Sequence, residues 1–84
     1  MDAATTAEVN RIVDAVEKMA LNHFSDRDLV GQPFETNISF GDDQPARARL
    51  IGEELQIRLR EKFASSRVRV DLVATNYAVK IIRG

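Results

Sequence analysis

Apolar residues return at three- and four-residue steps through residues 6–24. Val9, Ile12, Val13, Val16, Ala20 and Phe24 make one stripe, and Asn10, Arg11, Asp14, Glu17 and Lys18 make the opposite one. That spacing predicts an amphipathic helix. Thr5 and Glu8 stand where a capping box would start it, the hydroxyl accepting a backbone N–H and the carboxylate reaching back. The period is lost in "LNHFSDRD", and "DLVGQP" predicts a turn through Gly31 and Pro33. From residue 34 the period changes to two. In "FETNISF", Phe34, Thr36, Ile38 and Phe40 share one face and Glu35, Asn37 and Ser39 the other, which predicts a half-buried strand.

"GDDQP" ends that strand, with Asp43 placed to cap a second helix and Pro45 in its first turn. Residues 44–64 carry that helix on Ala48, Ile51, Leu55, Leu59 and Phe63. Leu50 and Ile57 widen its stripe on the side expected to receive the first helix. After "SSR" two strands are predicted, over 67–73 and 77–82. "ATN" forms the hairpin turn between them, and Asn76 is the residue that tolerates positive φ.

The element order is therefore α–β–α–β–β. A strand–helix–strand unit crosses over right-handed and makes its two strands parallel. "YAVKII" is the most apolar strand and belongs in the centre, antiparallel to both neighbours. The expected fold is α+β: one domain over residues 1–84, a two-layer sandwich with a three-stranded mixed sheet in the order 1-3-2. Both helices cover one face. Val68, Val70, Leu72, Tyr77, Val79 and Ile81 point into the core. Glu35, Asn37, Ser39, Arg67, Arg69, Asp71 and Lys80 occupy the open face, with Ala78 and Ile82 beside them.

With 84 residues the chain buries a thin core, so a partner subunit is in keeping with its size. It has no cysteine, which excludes disulfides, thiolate metal sites and thiol nucleophiles. The N-terminal stretch has no basic-then-apolar leader. No apolar run approaches the ~18 residues of a membrane span. The expectation is a cytoplasmic protein that does not bind membranes.

The net charge of −1 conceals an asymmetry. Residues 1–45 carry three basic against nine acidic side chains, a balance of −6. Residues 46–84 carry nine basic against four acidic, a balance of +5. Either the halves face one another and cancel, the favoured reading, or the surface is polarised and steers a charged partner.

Candidate chemistry is sparse. His23 is the sole histidine, and near a helix C-terminus it is expected to bond free carbonyls rather than a metal. Asp42 and Asp43 lack the further oxygen ligands of a Mg²⁺ or Ca²⁺ loop. Gly31, Gly41 and Gly52 are too far apart to cradle a phosphate. No metal or cofactor is expected. Arg47, Arg49, Arg58, Arg60, Lys62, Arg67, Arg69, Lys80 and Arg83 make the C-terminal half basic, as phosphate contacts require. The open face lacks the aromatic platforms on which single-stranded bases stack, and Asp71 and Glu35 dilute its charge.

From residue 34 onward the chain resembles the DinI-like proteins, small bacterial and phage modulators of the DNA-damage response. The likeness lies in "GEELxxRLxxxF" within "IGEELQIRLREKF", followed by "VxV" and then "NxxVxI". That family continues past its hairpin into an acidic helix implicated in binding a recombinase filament. Here the strand is followed by "RG", and an N-terminal helix is expected to fill the same packing place. No functional residue is carried over. The resemblance implies a β–α–β–β unit and a non-enzymatic protein that binds something larger.

Together these observations predict a small regulatory or adaptor protein, not an enzyme, that binds another protein or a second copy of itself as a homodimer. The candidate surface is Arg67, Arg69, Asp71, Lys80 and Arg58, beside the edge of strand 67–73. The alternative is a nucleic-acid-binding module that uses the same basic residues.

Overall fold

The computed structural model describes residues 2–40 and 44–83. Helix α1 spans Ala3–Ser25, a 3₁₀ turn Arg27–Leu29, strand β1 Phe34–Ser39, helix α2 Pro45–Lys62, strand β2 Ser66–Val73 and strand β3 Asn76–Arg83. The sheet order is β1-β3-β2. β3 is antiparallel to both neighbours, so both ladders are antiparallel and the two outer strands run the same way.

α1 begins a turn earlier than the capping-box reading places it. The Asp2 carboxylate, not the Thr5 hydroxyl, is the cap, accepting the Thr5 N–H at 2.7 Å. Aspartate is as good a cap as threonine and also opposes the positive end of the helix dipole. This hydrogen bond holds the Asp2 carboxyl below its ordinary pKa. Thr5 is freed to sink into the core, where its hydroxyl accepts from Arg47 Nε at 3.4 Å. Glu8 turns outward to Arg11, 2.6 Å away. That bond lowers the Glu8 pKa and raises that of Arg11.

The turn after α1 is as expected. Gly31 has φ 81°, a conformation costly for any residue with a Cβ. α2 starts at Pro45 with Gln44 in the cap position and no side-chain cap bond. The expected cap, Asp43, lies outside the described residues.

The core is the predicted one. Val9, Ile12, Val13, Val16 and Ala20 of α1 meet Ala48, Ile51, Leu55 and Leu59 of α2 over Phe34, Val68, Tyr77, Val79 and Ile81. The helices lie side by side on one face of the sheet. Three polar rungs join them: Arg47 to Thr5, Arg58 Nη1 to Asn10 Oδ1 at 2.7 Å, and Lys62 to Glu17 at 3.0 Å. α1 therefore packs along the Arg47, Ile51, Arg58, Lys62 flank. Leu50 and Ile57 lie further round the helix and stay exposed, contrary to expectation. Leu72, expected in the core, is 40 % exposed, because it sits at the hairpin end of the sheet.

The hairpin turn is two residues long, Ala74-Thr75, since Val73 pairs with Asn76. The residue at positive φ is Ala74, at 55°, and not Asn76, which is already in the strand.

Candidate functional site

Strand parity, confirmed by the ladders, decides what lies on the uncovered face of the sheet. The register stacks that face in rows across β1, β3 and β2: Glu35–Lys80–Arg69, then Asn37–Ala78–Asp71, with Ile82 beside Arg67 at one end. Lys80 Nζ is 3.5 Å from Glu35, and Arg69 Nε is 2.8 Å from Asp71. These side chains border a shallow hollow of about 360 Å³. Both pairs are well exposed, so each contributes little to stability and is easily exchanged for a partner's charges.

Four of the five candidate residues, Arg67, Arg69, Asp71 and Lys80, thus share one surface. Arg58 does not belong to it. It lies in the helix layer, where its guanidinium bonds Glu54 at 3.2 Å and Asn10 of α1. The sequence places arginines on α2 but cannot say which of them the neighbouring helix takes up.

His23 is half-buried. Its Nε2 bonds the Gln32 carbonyl at 3.0 Å, a loop carbonyl rather than one from its own helix end. Its ring meets Phe24 and Phe34 edge-on, so it ties α1 to the start of β1. Among the described residues, no three His, Asp or Glu side chains gather where they could hold a metal ion. Asp42 and Asp43 lie outside those residues.

The two sheet edges are treated differently. In an antiparallel ladder alternate residues direct their N–H and C=O away from the partner strand. Val70 is one of these on β2, and its N–H donates to the Gln56 side-chain carbonyl at 3.0 Å. The Ser66 N–H on the same side donates to Phe63 O at 2.9 Å. Helical spacing puts Arg49 and Arg60 on the flank of α2 that carries Gln56. Among the described residues neither they nor Arg67 makes an ion pair, so these arginines border the edge without a carboxylate on them. The β2 edge, expected to be open for pairing, is therefore engaged at Ser66 and Val70 and bordered by arginines.

Among the described residues, no side chain bonds the backbone of β1 at Glu35 or Asn37 in this way. β1 is an edge strand without lysine, arginine or internal proline, and Glu35 is its one charged residue. Because Phe34, Thr36 and Ile38 pair inward with β3, the backbone at Glu35 and Asn37 faces away from the sheet. Gln56 and Asn37 are the positions that sequence reasoning passes over. The one signal for Gln56 is a polar residue flanked by two apolar ones on the helix.

No family model, curated protein or solved structure matches this chain.

Proposed function

We propose that this protein is a small, non-enzymatic regulatory or adaptor module that docks another polypeptide on the β1 edge and the adjoining open sheet face. The observation that carries the reading is the contrast between the edges. One is bonded to Gln56 at Val70 and flanked by arginines; the other, at Glu35 and Asn37, meets no such side chain among the described residues. Natural sheets guard exposed edges against accidental pairing. An unguarded edge beside easily exchanged ion pairs suits strand addition, in which backbone bonds give affinity and alternate side chains give specificity. Glu35, Lys80, Arg69 and Asp71 would read the partner's charges. The resemblance to DinI-like proteins supports the same mode of action, in a bacterial or phage regulatory setting.

A photo-cross-linking residue placed at Asn37, with Arg60 as control, tests this reading. Polypeptide adducts at position 37 and none at 60 are expected. Equal labelling at both positions contradicts the β1 edge.

A second reading rests on Arg49, Arg60 and Arg67, which border the β2 edge without ion-pair partners among the described residues. Such a strip suits a phosphate backbone. It predicts binding to DNA or RNA that falls steeply as salt rises. Fluorescence anisotropy at low salt decides between the readings. The protein-docking reading expects no binding, and tight, salt-sensitive binding favours the nucleic acid.

A further inference from the structure

We infer that the open sheet face receives the same face of a second copy of this chain, about a two-fold axis that crosses β3 between Ala78 and Lys80. The inference rests on the reading of this face as a docking surface, and it names the occupant.

The charges carry the argument. The centre of the face is two rows, Glu35–Lys80–Arg69 and Asn37–Ala78–Asp71. It holds two carboxylates and two cations, so it neither repels a copy of itself nor selects a partner of one sign. All four charged side chains are open to solvent in the single chain, Arg69 to 76 % and Glu35 to 65 %.

An axis that runs across the strands, midway between the rows, lays each row on the other. Arg69 then faces Asp71 of the copy, and Asp71 faces Arg69. Glu35 faces the Asn37 amide, which can donate to it. Lys80 faces Ala78, whose small side chain leaves room in the hollow of about 360 Å³ for the lysine stem. Facing sheets pack about 10 Å apart, a gap that an arginine opposite an aspartate can span.

Other registers fail on charge. Centring the axis on the first row sets Glu35, Lys80 and Arg69 each over itself. Centring it on the second sets Asp71 over Asp71. Turning the copy about an axis along β3 sets Lys80 over Lys80. Like charges juxtaposed across an interface oppose association. A two-fold interface needs a self-complementary patch, and of these registers the axis between the rows supplies it.

The ends of the face agree. The same register lays the Ile82 end of one face over the Val73 end of the other. Ile82 and Val73 are exposed apolar side chains, at 41 % and 56 %, and each gains an apolar neighbour there. Three strands make a narrow face, below the ~1,000 Å² of a permanent interface, so the association is weak and reversible.

Sedimentation from micromolar to millimolar concentration at low salt tests the inference. A monomer–dimer equilibrium is expected, shifting toward monomer as salt screens the exchanged pairs. Arg69→Glu leaves positions 69 and 71 both acidic, and Asp71→Arg leaves both basic. Each alone should raise the midpoint by roughly tenfold or more. Mixed in equal amounts, the two variants should pair as tightly as wild type, because each supplies the charges that the other lacks. Both positions are exposed, so the fold should survive, as circular dichroism will show.

A strict monomer at millimolar concentration and low salt overturns the inference. So does a dimer indifferent to both substitutions, or a mixture that pairs no better than either variant alone. The docking reading fails separately. It stands if position 37 of a monomeric protein still cross-links a foreign polypeptide, and it falls if that labelling is also lost.

Discussion

The side-chain carbonyl of Gln56 on α2 accepts the backbone N–H of Val70 on β2 at 3.0 Å. A helix thereby occupies one backbone site on an edge of the sheet that it packs on. Gln56→Ala should lower stability by about 1 kcal/mol, the usual worth of one such bond. It should also speed hydrogen exchange at the Val70 amide, while Gln56→Glu, which keeps an acceptor, should slow it again. Unchanged exchange at Val70 in Gln56→Ala would show that the edge is protected in another way.

Ala74 holds φ 55° in the two-residue turn between β2 and β3. A left-handed conformation costs an ordinary L-residue about 1–2 kcal/mol, and glycine escapes that cost. Ala74→Gly should therefore stabilise the protein by about 1 kcal/mol in urea denaturation, after its extra freedom in the unfolded chain is subtracted. Asn76→Gly should do the opposite, because Asn76 is a strand residue. A loss of stability in Ala74→Gly would contradict this turn geometry.

Gly52 lies inside α2, and a Cβ there would come within 2.8 Å of Leu72 Cδ1 and 3.8 Å of Tyr77 Cδ1. The close atom is the tip of a flexible side chain that is 40 % exposed, so it can swing aside. Alanine gains about 1 kcal/mol of helix propensity over glycine, which should outweigh moving one methyl group. Gly52→Ala should leave the melting temperature unchanged or raise it slightly. A clear fall would mean that Leu72 is held more tightly than its exposure suggests.

The cap of α1 should give stability a pH dependence of known sign. The Asp2 carboxyl has a lowered pKa in the folded chain because it accepts the Thr5 N–H. Its stabilisation is therefore present above the unfolded pKa and lost as pH falls through the lower folded one. Glu8, lowered by Arg11, acts in the same direction. Asp2→Asn keeps an acceptor and removes the charge. Wild type should exceed this variant above about pH 4 and converge on it in more acid solution. A difference that does not vary with pH would show that the charge is not what caps the helix.

Much of the fold was legible because alternation settles strand faces. Phe34, Val68, Tyr77, Val79 and Ile81 point inward as "FETNISF", "RVRVDLV" and "YAVKII" imply, and the apolar strand is central. Four of the five site residues reached one surface by the same parity. Arg58 did not, since helical spacing names a face without saying which neighbour meets it. The same gap left Leu50 and Ile57 assigned to a contact that α1 makes elsewhere. The cap at Asp2 and the turn at Ala74 were missed because Thr5 and Asn76 offer stronger local motifs, and the chain uses them otherwise. The contrast between the edges was invisible. It depends on Gln56 reaching a backbone group that lies 14 positions away in the chain, and no local pattern encodes that.

The docking edge is tested most directly by hydrogen exchange at the Glu35 and Asn37 amides of the free protein. Both should exchange fast, while the Val70 amide, bonded to Gln56, stays protected. Slow exchange at residues 35 and 37, as slow as at Val70, would contradict an open β1 edge.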